Sequence, residues 1–201
     1  AITKQIDATW AAGDAAGGLF SGTVAADTTY HVFRIRADAD GSIDAGLDTS
    51  VSAANRPAGY TAYRRVGSVV TDASSNILAF TQIGDHFILG SWVKDSDTTV
   101  GTTASLVTLS VPSGISVDAD LVIASQSTNS GSILITSPHV ADASVSDTYN
   151  VTPSHVSRGN ANREALMCRT NTSGQVRVRG SDASQSYALY TFGWRDSRGI
   201  D

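Results

Sequence analysis

The chain has 201 residues, 41% hydrophobic and 16% charged, with a formal net charge of −5 and one cysteine. This is globular composition, long enough to bury one substantial core, and it excludes wholesale disorder. No basic tract could follow a phosphate backbone, which argues against nucleic acid, and no apolar run reaches the roughly 18 residues that a bilayer-spanning helix needs.

The kinds of charge carry more than their sum. Glu164 is the lone glutamate, and Lys4 and Lys94 are the only lysines. Long helices use Glu and Lys on their solvent faces, whereas Asp, Ser and Thr suit turns and strand ends. The composition therefore predicts an all-β chain.

In chain order, Thr29–Ala37 alternates Phe33 and Ile35 against Arg34 and Arg36. Period two places successive side chains on opposite faces of a strand. Asp40-Gly41 then predicts a two-residue type I′ hairpin, and Ser42–Leu47 returns with Ile43, Ala45 and Leu47 on one face. Ser50–Asn55 could form a brief helix before Pro57. Further strands are predicted at Thr61–Val70, Ile77–Gln82, Asp85–Val93, Ala104–Val111, Asp120–Gln126, Gly131–Thr136, Ala165–Thr170, Gln175–Gly180 and Ser186–Trp194. Turns are predicted at Asp72–Asn76, Asp95-Ser96-Asp97, Pro112-Ser113-Gly114, Asn129-Ser130-Gly131 and Thr172-Ser173-Gly174. Ser186–Trp194 is apolar on both faces, with Tyr187 and Leu189 against Tyr190, Phe192 and Trp194, so a central strand is expected, followed by an outward polar tail at Arg195–Asp201. Strands at about ten-residue spacing fit an antiparallel β-sandwich of jelly-roll type, read as a single domain over 1–201 because no linker or repeat interrupts it.

Pro138–Asn162 is irregular, with an edge strand expected around Tyr149–Val151, and long loops on β scaffolds often carry function. It holds His139 and His155, which are candidate ligand-binding residues. Trp10, beside Ala11-Ala12-Gly13-Asp14, is the candidate exposed aromatic, whereas Trp92, following Phe87 and Leu89, is assigned to the core. Cys168, within Leu166-Met167-Cys168, reads as a small buried hydrophobe.

Chemistry motifs are missing: no Gly-x-Ser-x-Gly, His-Glu-x-x-His, Cys-x-x-Cys or Walker loop occurs. The acids around Asp38-Ala39-Asp40-Gly41 lack the third ligand and closing acid of a calcium loop, so they read as a hairpin. In Tyr63-Arg64-Arg65, guanidinium forks would suit phosphate or an acidic sugar, but alternation forces one arginine inward, which favours a packing role. No catalytic residue, metal or cofactor is expected.

Several blocks together resemble a module of phage and prophage tail-fibre-like proteins, usually found at their C-terminal end. They are Ile2-Thr3-Lys4, Trp10–Gly13, Gly17-Gly18-Leu19, Thr29–Phe33, Tyr63–Ser68, Gly84–Phe87, Leu109–Ile115, Arg169–Gln175 and Gly193–Gly199, so the likeness covers nearly the whole chain. The resemblance implies a β-sandwich tip of a virion tail appendage, continuing from polypeptide upstream. It also implies a homotrimer among other virion proteins that attaches to a host-surface polysaccharide or protein receptor, without enzymatic activity, nucleic acid or membrane insertion. The alternatives are a structural virion protein (capsid spike, collar or decoration subunit) and a carbohydrate-binding domain of a depolymerase.

Overall fold

The computed structural model describes residues 1–126, 132–145, 155–158, 162–183 and 185–198. The turn at 129–131, the edge strand around 149–151 and the last three residues of the tail lie outside them. Among the described residues the regular structure is all β: fourteen strands and no helix. Contacts gather into two compact units, Ala1–Leu78 together with Arg198, and Ala79–Ser197. No linker or composition break in the sequence marks that division.

The first unit is one five-stranded sheet. Its strands are β1 (Lys4–Thr9), β2 (Ala16–Leu19), β3 (Thr29–Arg36), β4 (Ile43–Asp48) and β5 (Ala62–Val70), in the order β1-β2-β4-β3-β5. β1–β2 and β2–β4 are parallel and the other pairs antiparallel. β3 follows its alternation: Phe33 and Ile35 are buried and Arg34 and Arg36 exposed. In the paired strand the buried face is the one with Asp44, Gly46 and Asp48, opposite Ile35, Phe33 and His31, while Ile43 is exposed. Gly46 explains this choice. A Cβ there would overlap the Phe20 ring, which occupies the space and stacks on Phe33 at 6.3 Å. The glycine face accepts an aromatic that the Ala45 face could not.

The hairpin between β3 and β4 forms, but not as a two-residue turn. Asp38–Gly41 make a four-residue loop closed by Ala37 N–H to Ser42 C=O, and within it only Gly41 has positive φ, 75°. A type I′ turn needs positive φ at both central positions. The brief helix at 50–55 is replaced by turns. The buried Asp48 carboxylate accepts from the Ser50 N–H and from both the N–H and the side-chain amide of Asn55, so these donors turn back rather than propagate a helix. Asp44 is also buried, paired to Lys4 at 2.9 Å and accepting from the Gly13 and Ala45 N–H groups. Burial alone would raise its carboxyl, but these donors hold it below the usual carboxylate range.

The second unit has two antiparallel sheets and is β-sandwich-like. Its strands are β6 (Phe80–Ile83), β7 (His86–Thr99), β8 (Ser105–Thr108), β9 (Asp118–Gln126), β10 (Ser132–Thr136), β11 (His155–Arg158), β12 (Asn162–Arg169), β13 (Gln175–Gly180) and β14 (Ser186–Arg195). One sheet runs β12-β9-β14-β7-β6 and the other β11-β10-β13-β8. Ala119, Leu121 and Ile123 of β9, Leu189 of β14, and Val176 and Val178 of β13 are fully buried. β7 runs through the turn expected at Asp95–Asp97. Its Asp95 carboxylate accepts from the hydroxyls of Thr191 and Ser110 and from the Ser110 N–H, which lets an acid sit within a strand, although burial still pushes its carboxyl up. β10 is buried along its whole length. On its Leu134–Thr136 face, Arg177 and Arg179 of β13 bind Val140 C=O and Asp142, tying down the chain that follows β10.

β14 is central, between β9 and β7, as its composition predicts. One face is half-buried rather than buried, however, and Trp194 does not share it. A β-bulge between Thr191 and Gly193 shifts register against both neighbours, so Trp194 lies opposite Ala119 and Phe87 on the core side. A single extra residue moves every later side chain to the other face. Trp194 is 1% exposed and stacks on Phe87 at 5.3 Å and 10°. Gly193, in the bulge, has no side chain to intrude on Asp120, which meets His86 at 2.6 Å from the opposite flank. The tail does not simply turn outward: Asp196 is buried and its N–H bonds Asp85 C=O.

Candidate functional site

β7 pairs with β14 from Thr99 to Val93, then resumes at Ile88, so Leu89–Trp92 fall outside that ladder. Leu89 pairs instead with Phe80 of β6, and Gly90 N–H bonds Ala79 C=O at 2.7 Å. The stretch that changes partners leaves Trp92 on the outside of the sheet. The indole is 63% exposed, with Tyr190 at 6.4 Å and Phe192 at 6.3 Å, both half-buried on β14. The assignment of Trp92 to the core is therefore overturned. Period two contained the signal: Trp92 is out of phase with the buried Phe87 and Leu89, so it belongs to the other face.

The result is an aromatic platform with one large open ring. An exposed tryptophan face with polar groups at its rim is suited to stacking on the apolar face of a sugar ring. The polar groups next along β7 are Lys94, opposite Tyr190 in register, and Asp97, opposite Ala188, which pair at 2.8 Å; hydrogen bonding to Asp97 raises the Lys94 ammonium. On the far strand of the same sheet Met167 is 59% exposed, a second apolar point on this sheet. Isolated exposed apolar residues are ordinary; a row of aromatic ones calls for a partner.

The candidates from sequence are dispersed. Trp10 belongs to the first unit, where it packs edge-on to Tyr60 at 5.2 Å and Phe20 at 6.4 Å, against Phe33, Ile35 and Ala53. Its indole N–H donates to Ala45 C=O at 2.9 Å, and the Lys4 ammonium sits 5.3 Å from the ring centroid. That ring is held by the core rather than offered to solvent. His139 uses Nε2 to donate to Thr170 C=O at 3.1 Å, with the Ser116 hydroxyl 3.2 Å from the same nitrogen, which pins the chain after β10. His155 opens β11 opposite Ile135, and its side chain lies outside the described residues. Cys168 is buried, and burial pushes its thiol up to about 11.

Of Tyr63-Arg64-Arg65, it is Arg65 that turns inward, donating to the Ser68 hydroxyl at 3.2 Å, which also meets the buried His31 at 2.8 Å. Arg64 stays exposed. Among the described residues no three of His, Cys, Asp and Glu cluster as metal ligands. Compared with known proteins, the chain matches no family model and no curated protein.

Proposed function

We propose that the chain is a non-enzymatic attachment module of a phage tail appendage, and that it contacts host-surface polysaccharide. The observation that carries this is the exposed Trp92 beside Tyr190 and Phe192 on the outer face of a rigid sheet. The strand order supports a jelly-roll assignment for the second unit: β7-β14-β9-β12 in one sheet and β8-β13-β10-β11 in the other, with successive strands repeatedly crossing between sheets. Three blocks of the tail-fibre resemblance converge there. Gly84–Phe87 and Gly193–Gly199 meet in the Phe87–Trp194 stack and in the pairing of His86 with Arg195, and Leu109–Ile115 supplies Ser110 to Asp95. A shallow aromatic platform binds weakly by itself, and a homotrimer would convert weak sites into avidity.

Met167 on the same sheet favours a second reading, in which this face is a subunit contact of a structural virion protein. Light scattering together with binding to host cells separates the two for wild type and Trp92→Ala. Loss of cell binding with unchanged oligomeric state supports attachment. Loss of the oligomer supports assembly, and a wild-type chain that ignores host envelopes overturns the proposal.

A further inference from the structure

The outer face of the first unit carries a concentration of positive charge that is unexpected on a chain of net charge −5. Register places Arg34 directly opposite Arg64, and Arg36 opposite Ala62 on one side and Ile43 on the other. All three arginines are exposed. None of them makes a salt bridge or hydrogen bond within the described residues. With Ile43 and Tyr63 they line a shallow groove of about 240 Å³.

Like charges directly opposite on neighbouring strands repel. The acids in the loop at this end of the sheet are Asp38 and Asp40; the Asp38 carboxyl is held low first by the Thr61 hydroxyl and N–H, and further by Arg36 and Arg56, and the Asp40 carboxyl by the Ser42 N–H. Asp38 is thus engaged by Thr61, just ahead of β5, and neighbours the Arg36 end; the Arg34–Arg64 pair lies farther along the strands, and neither guanidinium makes an ion pair among the described residues. Tyr63 pairs with Ile35, so its ring lies on the Phe33 side of the sheet, edge-on to Phe33 at 6.0 Å with the Arg56 guanidinium 4.6 Å from its ring centroid.

We infer that this groove is an oxyanion site for the carboxylate or phosphate groups of an acidic polysaccharide. Guanidinium forks match both oxyanions, and the exposed Ile43, paired with Arg36, offers apolar surface to an adjoining sugar ring. Three arginines on two strands span only one or two anionic groups, too short a track for a duplex backbone. The site lies wholly within the first unit, and the inference does not depend on the Trp92 platform or on the attachment proposal.

The test is equilibrium binding of the full chain to polygalacturonate at low salt, with dextran as the neutral polymer and duplex DNA as the competing polyanion. Arg34→Gln/Arg64→Gln is compared with Arg195→Gln, an exposed arginine of the second unit. The expected result is at least a tenfold loss of polygalacturonate affinity in the double variant, none in Arg195→Gln, and no binding of dextran. Competition by millimolar inorganic phosphate assigns the groove to oxyanions generally, and its failure confines the groove to carboxylates. Equal binding by the double variant, equal loss in Arg195→Gln, tighter binding of DNA, or no polyanion binding by wild type would each overturn the inference. Thermal melting gives an independent readout. Arg64→Gln raises Tm without anion, because it removes the repulsion, and polygalacturonate raises the Tm of wild type but not of the double variant. A lowered Tm for Arg64→Gln overturns the premise.

Discussion

Trp194→Ala and Trp194→Phe separate two consequences of the bulge in β14. The side chain is 1% exposed and stacked on Phe87. Truncation to alanine removes a fully buried aromatic and leaves a cavity, at a cost of about 3–5 kcal/mol. Roughly 0.5–1.5 kcal/mol of that is the ring pair itself. Set against a typical total stability of about 5–15 kcal/mol, this is a large loss. Phenylalanine keeps the stack and vacates about 40 Å³, which at roughly 24 cal/mol per Å³ costs about 1 kcal/mol. It also deletes an indole N–H that has no hydrogen-bond partner among the described residues. Burying such a donor costs about 1–3 kcal/mol, so its removal offsets the cavity. Trp194→Phe is therefore expected within about 1 kcal/mol of wild type. Urea unfolding followed by far-UV circular dichroism measures both, with Trp92→Ala as an exposed control that changes stability by under about 0.5 kcal/mol. If Trp194→Ala is nearly neutral, the indole does not face the core and the bulge reasoning fails. If Trp194→Phe costs as much as alanine, the N–H is paired and that part fails.

Gly46→Ala forces Phe20 out of its place over β4 and should destabilise the first unit by about 1–3 kcal/mol, measured by the same urea titration. Lys4→Met leaves Asp44 buried without its cation and should cost about 3 kcal/mol at pH 7, read from the shift of the urea midpoint. The folded carboxyl of Asp44 lies below its unfolded value, so its stabilising contribution is complete above the unfolded value of about 3.9 and is lost as pH falls through the folded one. The wild-type advantage over Asp44→Asn should accordingly shrink below about pH 4 in acid titrations of stability. Cys168, with its thiol near 11, should label with a disulfide reagent at pH 8 on the order of a hundredfold more slowly in the native than in the urea-unfolded chain; equal rates would mean the thiol is open.

Alternation located most of the strands because it responds to burial, which the folded chain obeys at Phe33, Ile35, Val176 and Val178. It failed where the backbone leaves strict period two. The bulge before Trp194 exchanges faces, and neither residue type nor spacing announces an unpaired residue. β1 and β2 were missed because they alternate Lys, Asp and Ala or consist of Ala-Gly-Gly-Leu, which lack a hydrophobic stripe. Asp95 illustrates the reverse error. Its turn chemistry is correct in isolation, but Thr191 and Ser110, far away in sequence, supply the donors that a turn would have supplied. The aromatic platform was half legible: the phase of Trp92 pointed outward, while its apolar neighbours pointed to the core. Opposed Arg34 and Arg64 are invisible until register pairs two strands about thirty residues apart.

Intrinsic tryptophan emission during titration with host-envelope polysaccharide tests the attachment account most directly. Trp194 is sealed in the core and Trp10 is packed against Tyr60 and Phe20, so Trp92 is the indole placed to report a sugar. A saturable change in emission for wild type, abolished in Trp92→Ala at unchanged fold and oligomeric state, is the predicted result. No change in wild type, or the same change in Trp92→Ala, would contradict it.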